Sequence, residues 1–289
     1  MRYAFMATHQ GQWPVPVLCE MLEVSRSGFY AYVQRQKCGS GPGGEMALLV
    51  RVKTIAAASG YSYGSRRMAK QLQDEGFTVG RFKARRLMKQ AGVSARGRTT
   101  RQPRTTDSRH GFGVAPNLLA RHFDVTAPNV AWCGDITYVW TEEGWLYVSV
   151  LLDLYSRKVV GWAMSDHIDT QLVTKALAMA LGRRQPPAGL IHHSDRGAQY
   201  ACHAYRRLLA DHGVQCSMSG KGECLDNAVA ERFLGSLKRE RTSHRYYTTR
   251  QEARNDVIDY IEMFYNSWRK HSYLGYVSPN EYETFGQVA

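Results

Sequence analysis

Three acidic residues carry the most chemistry in this 289-residue sequence: Asp135 in WCGDITYVW, Asp195 in HHSDRGAQY and Glu231 in DNAVAERFLGSLKRE. Taken alone, Glu231 reads as a solvated charge on an amphipathic helix. Ala230, Phe233, Leu234 and Leu237 recur at helical spacing, and Asn227, Glu231 and Lys238 share another face. Asp226 suits the N-cap of that helix. Asp135 and Asp195 change the reading, because each interrupts or closes an apolar run that has the pattern of a buried strand. Three carboxylates brought together from two strands and a helix make a metal site. Hard oxygen ligands favour Mg²⁺, with Mn²⁺ a natural substitute. Two such ions roughly 3.5–4 Å apart activate an oxygen nucleophile and stabilise the leaving oxygen of a phosphodiester. Asp135 is expected to bridge both ions, with Asp195 and Glu231 each closing one side. Asn227 and Lys238 are expected to touch nucleic acid near the reacting phosphate.

Other candidates read as structural. His192 and His193 sit on an apolar run, where packed, hydrogen-bonded histidines are commoner than ligands. Asp153 and Asp166 fall at strand ends. The six cysteines form no CxxC pair and read as reduced, mostly core residues. A zinc site from Cys202, His203, Cys216 and Cys224 lacks the usual ligand spacing.

The elements that must position the acids follow from charge and periodicity. Residues 1–50 hold four Lys/Arg against three acids, 51–110 hold fifteen against three, and 111–289 hold nineteen against nineteen. Nearly all of the net charge of +13 therefore sits in one segment, the footprint of a polyanion-binding module. Helical patterns at 16–22 and 28–33 predict a first helix-turn-helix-like module over 1–37, with Ser25 or Ser27 as a cap. KCGSGPGG reads as a flexible linker, bounded as 38–45, without the Lys-Ser/Thr ending of a phosphate-binding loop.

A second, basic helix-turn-helix-like domain spans 46–94, with helices predicted at 46–58, 65–75 and 79–90. Its last helix presents Arg81, Lys83, Arg85, Arg86 and Lys89 around a seam of Phe82, Leu87 and Met88, as a DNA-recognition helix would. Arg66 and Arg67 precede it. Residues 95–120 form a basic linker in which Arg96, Arg98 and Arg101 can lie along DNA.

From 121 to 267 the pattern becomes α/β. A short strand at 123–127 is followed by strands at 131–140, 146–152 and 158–165 in an antiparallel meander. A helix at 170–182 returns the chain to a strand at 190–193, parallel to and beside the first. A helix at 200–212, a strand at 214–218, the Glu231 helix and a long helix at 250–267 complete the order, leaving a tail at 268–289. That order is ribonuclease-H-like: a five-stranded mixed sheet with flanking helices, preceded by small all-α modules.

Asp135, Asp195 and Glu231, with thirty-five residues between the last two and Lys238 seven after the glutamate, resemble the triad of DDE transposases and retroviral integrases. VSRSGFYAY, YGSRRMAKQL, LLDLYSRKVVGW, HSDRGAQY, DNAVAERF and the tail Asn266–Gly275 with Pro279 are similar to OrfB-type transposases of the third bacterial insertion-sequence family. The resemblance covers nearly the whole chain. It implies a DNA transposase that binds terminal inverted repeats and carries out metal-dependent strand cleavage and transfer. Its implied cofactor is two Mg²⁺ ions, and its implied partners are double-stranded DNA and further copies of the chain on paired ends. The family usually acts as a fusion with an upstream frame that carries a leucine zipper. No sustained heptad repeat appears here, so an upstream-frame partner is expected.

No apolar run approaches the roughly 18 residues of a membrane span, and the expected location is bacterial cytoplasm, on the nucleoid when DNA is bound. A nuclease of the same fold would explain the acids but not the basic helical half. A DNA-binding regulator would explain that half but not an intact triad.

Overall fold

Apolar residues at helical spacing give the first part of the chain its cores. The computed structural model describes residues 2–37, 42–97, 112–221 and 223–286. The chain divides into two units, Met1–Ala58 with Tyr63–Ser94 and Ser59–Ser62 with Ala95–Ala289.

In the first unit, α1 (Arg2–His9), α2 (Val15–Met21) and α3 (Arg26–Lys37) pack around Met6, Leu18, Cys19 and Phe29. The Ser25 hydroxyl accepts from the Gly28 N–H at 3.1 Å, capping α3 as expected. Helix α1 had no counterpart in the sequence expectation, because only Met6 of its eight residues is buried. Next come α4 (Pro42–Ala58), α5 (Ser65–Asp74) and α6 (Arg81–Gln90). Leu48, Val52, Ile55 and Ala56 of α4 are buried, as are Met68, Ala69 and Leu72 of α5 and Ala84, Leu87 and Met88 of α6. Gly76, at φ +86°, closes α5 in the left-handed conformation that lets the chain reverse into α6.

Two corrections arise here. Helix α4 starts at Pro42, inside the expected linker, because proline is well suited to a first helical turn. Residues 38–41 of that linker lie outside the described residues. Phe82 is not part of the α6 seam: it is 81% exposed, and Ala84 fills the inward position.

The second unit is built on a five-stranded sheet in the order β3-β2-β1-β4-β5. Its strands are β1 (Ala131–Thr141), β2 (Gly144–Asp153), β3 (Val159–Ser165), β4 (Ile191–Ser194) and β5 (Gln215–Met218). The meander β1-β2-β3 is antiparallel, and β4 and β5 add on parallel. Helix α7 (Thr170–Arg184), capped by Asp169 on the Leu172 N–H, lays Leu172, Val173, Ala176, Leu177 and Ala180 into a core with Trp132, Leu151 and Val160. The expected single helix at 200–212 is two, α8 (Ala198–Ala201) and α9 (His203–Asp211), because Cys202 adopts an extended conformation between them. Helix α10 (Ala228–Glu240) packs against β1 and β2. So does α11 (Arg250–Asp259), which continues with i→i+5 bonding over Tyr260–Tyr265. The final helix, α12 (Pro279–Gly286), lies in the tail.

The expected strand at 123–127 is absent. Its backbone is held instead by one local and one distant bond: the Phe123 N–H donates to Arg121 O, and the Arg157 guanidinium donates to Phe123 O. No helix among the described residues is long and apolar enough to cross a membrane.

A buried ion pair ties the tail to α10. The Arg269 guanidinium donates to both Glu240 carboxylate oxygens, at 2.7 and 2.6 Å, and the Tyr260 hydroxyl donates to the same carboxylate at 2.8 Å. Both ionic side chains are almost wholly buried. Removing one partner strands the other charge away from water, so Arg269→Ala is expected to lower unfolding stability by about 3–5 kcal/mol in a urea titration.

Burial pulls the His192 pKa down to about 3 and the His193 pKa to about 4. Both rings are therefore neutral in the fold, whereas the unfolded chain protonates them near pH 6.5. The stability they contribute is complete above about pH 6.5 and is lost on acidification towards about pH 4, as the unfolded state takes up protons first. Urea midpoints should fall between about pH 7 and about pH 5, and a His192→Gln variant should show a shallower fall. An unchanged slope would assign the loss to other groups.

Candidate active site

The parallel pairing of β4 covers only Ala131–Cys133 of β1. Beyond Cys133, the edge of β1 needs other partners for its peptide groups. Asn227 provides one: its Nδ2 donates to Gly134 O at 3.1 Å. The Asp135 carboxylate provides another, accepting from the Ile136 N–H at 2.8 Å. Near the far end of α10, the Lys238 ammonium stands 4.2 Å from the Tyr138 ring centroid. Helix α10 therefore runs beside the stretch of β1 that β4 leaves uncovered, and this brings Glu231 alongside Asp135. Gly134 is required for close packing here, since a Cβ would meet His192 Nε2 at 2.9 Å.

Asp195 follows β4 directly, and its Oδ1 accepts from the Gly197 N–H at 2.9 Å. The next residue, Arg196, donates to Ser219 O at 2.6 Å, tying the loop to the end of β5. Asp135 and Asp195 are half-buried, and Glu231 faces solvent from α10. Their fields overlap. Burial, then the Asp195 charge and to a smaller degree Glu231, pushes the Asp135 carboxyl well above the usual carboxylate range, against the Ile136 N–H and Lys238. Burial and Asp195 raise Glu231 as well. Burial lowers the Lys238 pKa, and Asp135 opposes that shift.

Among the described residues, no three His, Cys, Asp or Glu side chains form a ready-made metal cage. The acids are thus in mutual electrostatic reach without converging on one point. The donor set still fits divalent magnesium: hard oxygens from three carboxylates whose repulsion a cation relieves.

Several sequence expectations change. Asp226 is not the cap of α10. It lies in a 3₁₀ turn, Cys224–Asn227, and its carboxylate accepts from the Gly220 N–H, Asn117 Nδ2 and Arg121 Nε at 2.9, 3.0 and 2.7 Å. Asn227, expected to face DNA, is 3% exposed and ties α10 to β1, because the helix starts one residue after it. Lys238 does sit by the acids, and its ring partner Tyr138 went unnoticed in sequence. The alternation that places Tyr138 opposite Tyr147 was the available signal. The two histidines are packed residues, as expected. His193 bonds Ser217 and Ser219 hydroxyls at 2.8 and 3.2 Å, and His192 bonds the Tyr205 hydroxyl at 3.2 Å. Asp153 is structural too, accepting from Asn129 N, Tyr155 N and Arg184.

In the first unit, Arg81, Arg85 and Lys89 are exposed at successive four-residue steps of α6, with Arg86 exposed and Lys83 half-buried beside them. Arg86 also pairs with Glu45 at 3.3 Å. Arg66 is exposed, and Arg67 stacks over the Tyr63 ring at 5.9 Å. Arg96, in the second unit, donates to Glu240 O at 3.0 Å, so part of its guanidinium is committed to the fold. Arg98 and Arg101 lie outside the described residues.

Residues 125–224 and 212–279 match two family models, each described as an integrase core domain, and residues 45–102 match one described as an HTH-like domain. An insertion element IS600 uncharacterized 31 kDa protein of Shigella sonnei is 43% identical over 94% of this chain and 100% of its own length. The transposase InsF for insertion sequence IS3A of Escherichia coli (strain K12) is 37% identical over 98% of each chain. The HTLV-2 integrase catalytic core domain in complex with magnesium (trimeric form) gives a TM-score of 0.43 at 14% identity, covering 54% of this chain and 97% of that one. The mixed sheet, its acids and the matched domains define an integrase-core enzyme with an HTH-like helical region. Within that class, the chain belongs to the IS3-family insertion-sequence transposases.

Asn227→Ala leaves Gly134 O without its side-chain partner and frees the start of α10. It should lower stability by about 1–3 kcal/mol in chemical denaturation, a loss that a surface control such as Lys175→Ala does not share.

Proposed function

We propose that this transposase binds the terminal inverted repeats of its element and carries out strand cleavage and strand transfer with two Mg²⁺ ions held by Asp135, Asp195 and Glu231. The observation that carries this reading is the mutual charge coupling of three carboxylates from β1, the loop after β4, and α10. When bound, the metal pair would supply activation of the attacking oxygen and stabilisation of the leaving one. Asp135, whose carboxyl feels both Asp195 and Glu231, would serve both ions. Lys238 offers a positive charge to the phosphate from the same side of α10. In the helical unit, Arg66, Arg67, Arg81, Lys83, Arg85, Arg86 and Lys89 neutralise backbone phosphates, and Arg96, Arg98 and Arg101 add further phosphate-binding charge. The working form is a multimer that pairs two DNA ends, with an upstream-frame protein or fusion as a further partner, in the bacterial cytoplasm on the nucleoid.

The test is cleavage and joining of a labelled duplex that carries the element's end, with Mg²⁺ or Mn²⁺, comparing wild type with Glu231→Gln. Wild type is expected to join, and Glu231→Gln to bind DNA equally and join at a rate lower by at least about 10³, since a metal-holding carboxylate supplies several kcal/mol of transition-state stabilisation. Salt must be low, because contact with about six to ten phosphates loses about 10³–10⁵ in affinity between about 50 and 200 mM. Metal-dependent degradation without joining, indifferent to the end sequence, would identify a nuclease instead.

A further inference from the structure

Beyond Asp135, β1 runs outward into a hairpin with four aromatic residues on one face. Tyr138 pairs with Tyr147 and Trp140 with Trp145 across the two strands, and side chains two apart share a face. At the inner end Ile136 and Tyr147 pack against the core under α7. At the outer end the core stops: Trp140 is 55% exposed and Trp145 42%. Two neighbouring tryptophans in water are a large exposed apolar surface and mark a binding site.

Their arrangement limits the ligand. Trp145 meets Tyr138 at 4.9 Å and 83°, and Trp140 at 4.7 Å and 73°, so the rings form a herringbone and not one flat apolar patch. Separate ring faces suit planar groups taken one at a time. A positive charge stands at the inner end, where Lys238 lies over Tyr138. Arg250 is anchored beside the outer end by its bond to Trp145 O at 3.1 Å. Tyr246, 72% exposed, is held to the hairpin turn through its hydroxyl and Glu142. The turn itself carries the carboxylates of Glu142 and Glu143, which accept from the Tyr246 hydroxyl and the Arg250 N–H. Beyond the turn, stackable rings with Lys238 and Arg250 beside them are the pattern of a surface that takes a polyanion carrying flat bases. The rings lie on the face of β1 opposite the Asp135 side chain, three and five residues further along, roughly 10–17 Å away at about 3.3 Å per residue. Lys238, which stands over Tyr138 and feels the Asp135 charge, links the two across the strand edge that β4 leaves uncovered.

We propose that Trp140 and Trp145, backed by Tyr138 and Lys238, form a stacking platform for unpaired bases of the DNA strand that is processed at Asp135. The inference rests on the transposase reading of that site. In a paired duplex every base face except the outermost is already stacked on a neighbour, so the platform gains stacking on individual bases where the strand is frayed or single. It makes opening of the terminal pairs part of substrate selection.

The test uses the full chain and two versions of the element's end, one blunt and one with a short unpaired tail that carries 2-aminopurine. Wild type is expected to prefer the tailed end by about five- to 150-fold and to quench the 2-aminopurine. Trp140→Ala and Trp145→Ala should lose the preference and the quenching while keeping blunt-end affinity within about twofold, with only a small fall in thermal stability from the lost ring contacts. Trp140→Phe should restore most of the preference. Glu231→Gln should keep the preference in full while failing to join; a wild-type chain that stacks but never joins refutes the strand-transfer reading of the Asp135 site and leaves the platform standing. No tail preference in wild type, or a preference that survives both alanine variants, overturns the proposal. So does loss of self-association in those variants with the tail preference intact, which would make the hairpin an interface between copies.

Discussion

The organisation of the catalytic unit depends on an incomplete strand pairing. β4 accompanies β1 only as far as Cys133, and the acid-bearing stretch of β1 begins at the next residues. A fully paired central strand would bury its edge and leave no place for a helix there. The shortfall obliges another element to satisfy Gly134 O, and Asn227 does so from the turn that opens α10. Glu231 and Lys238 are placed beside Asp135 as a consequence of that backbone requirement. The candidate active site is therefore an accommodation of unpaired peptide groups before it is an arrangement of charges.

Charge then acts on the frame so formed. Asp135 pays for its half-buried position with a raised proton affinity, to which Asp195 and Glu231 add. Such a cluster is unfavourable by itself and is tolerated because rigid neighbours hold it: the Gly197 N–H on Asp195, the Ile136 N–H on Asp135, and the Arg196 bond to the β5 end. The helical unit solves a different problem. Its outward cations are left in water, with α6 turning Ala84, Leu87 and Met88 inward and leaving Arg81, Arg85 and Lys89 outward.

Much of this was legible in the sequence, and the exceptions share a cause. Strands β1 to β5 could be read because alternation or apolar runs coincide with burial, on both faces at neighbours such as Val150 and Leu151. The acids could be read because they break such runs. Asn227 and Asp226 could not be assigned, since the helical period of α10 extends one turn beyond the helix, and only the 3₁₀ turn decides which residue caps and which is buried. Phe82 kept the right period and the wrong side, because the inward slot of α6 is small and Ala84 fills it. The segment at 123–127 has strand-like residues but no neighbouring strand to pair with, and strand propensity is a matter of partners. The role of Arg269 was hidden for a similar reason: nothing local in the sequence connects it to Glu240.

That last connection bears on how the chain is made. Glu240 leaves the ribosome before Arg269, so during synthesis the end of α10 carries a carboxylate that cannot yet be buried with its counter-charge. The helix bearing Glu231 gains its buried counter-charge only once the tail has emerged and folded back. A truncated chain that ends before Arg269 would then be a poorly folded protein and not a smaller enzyme. The salt bridge thereby links competence for DNA chemistry to completion of translation.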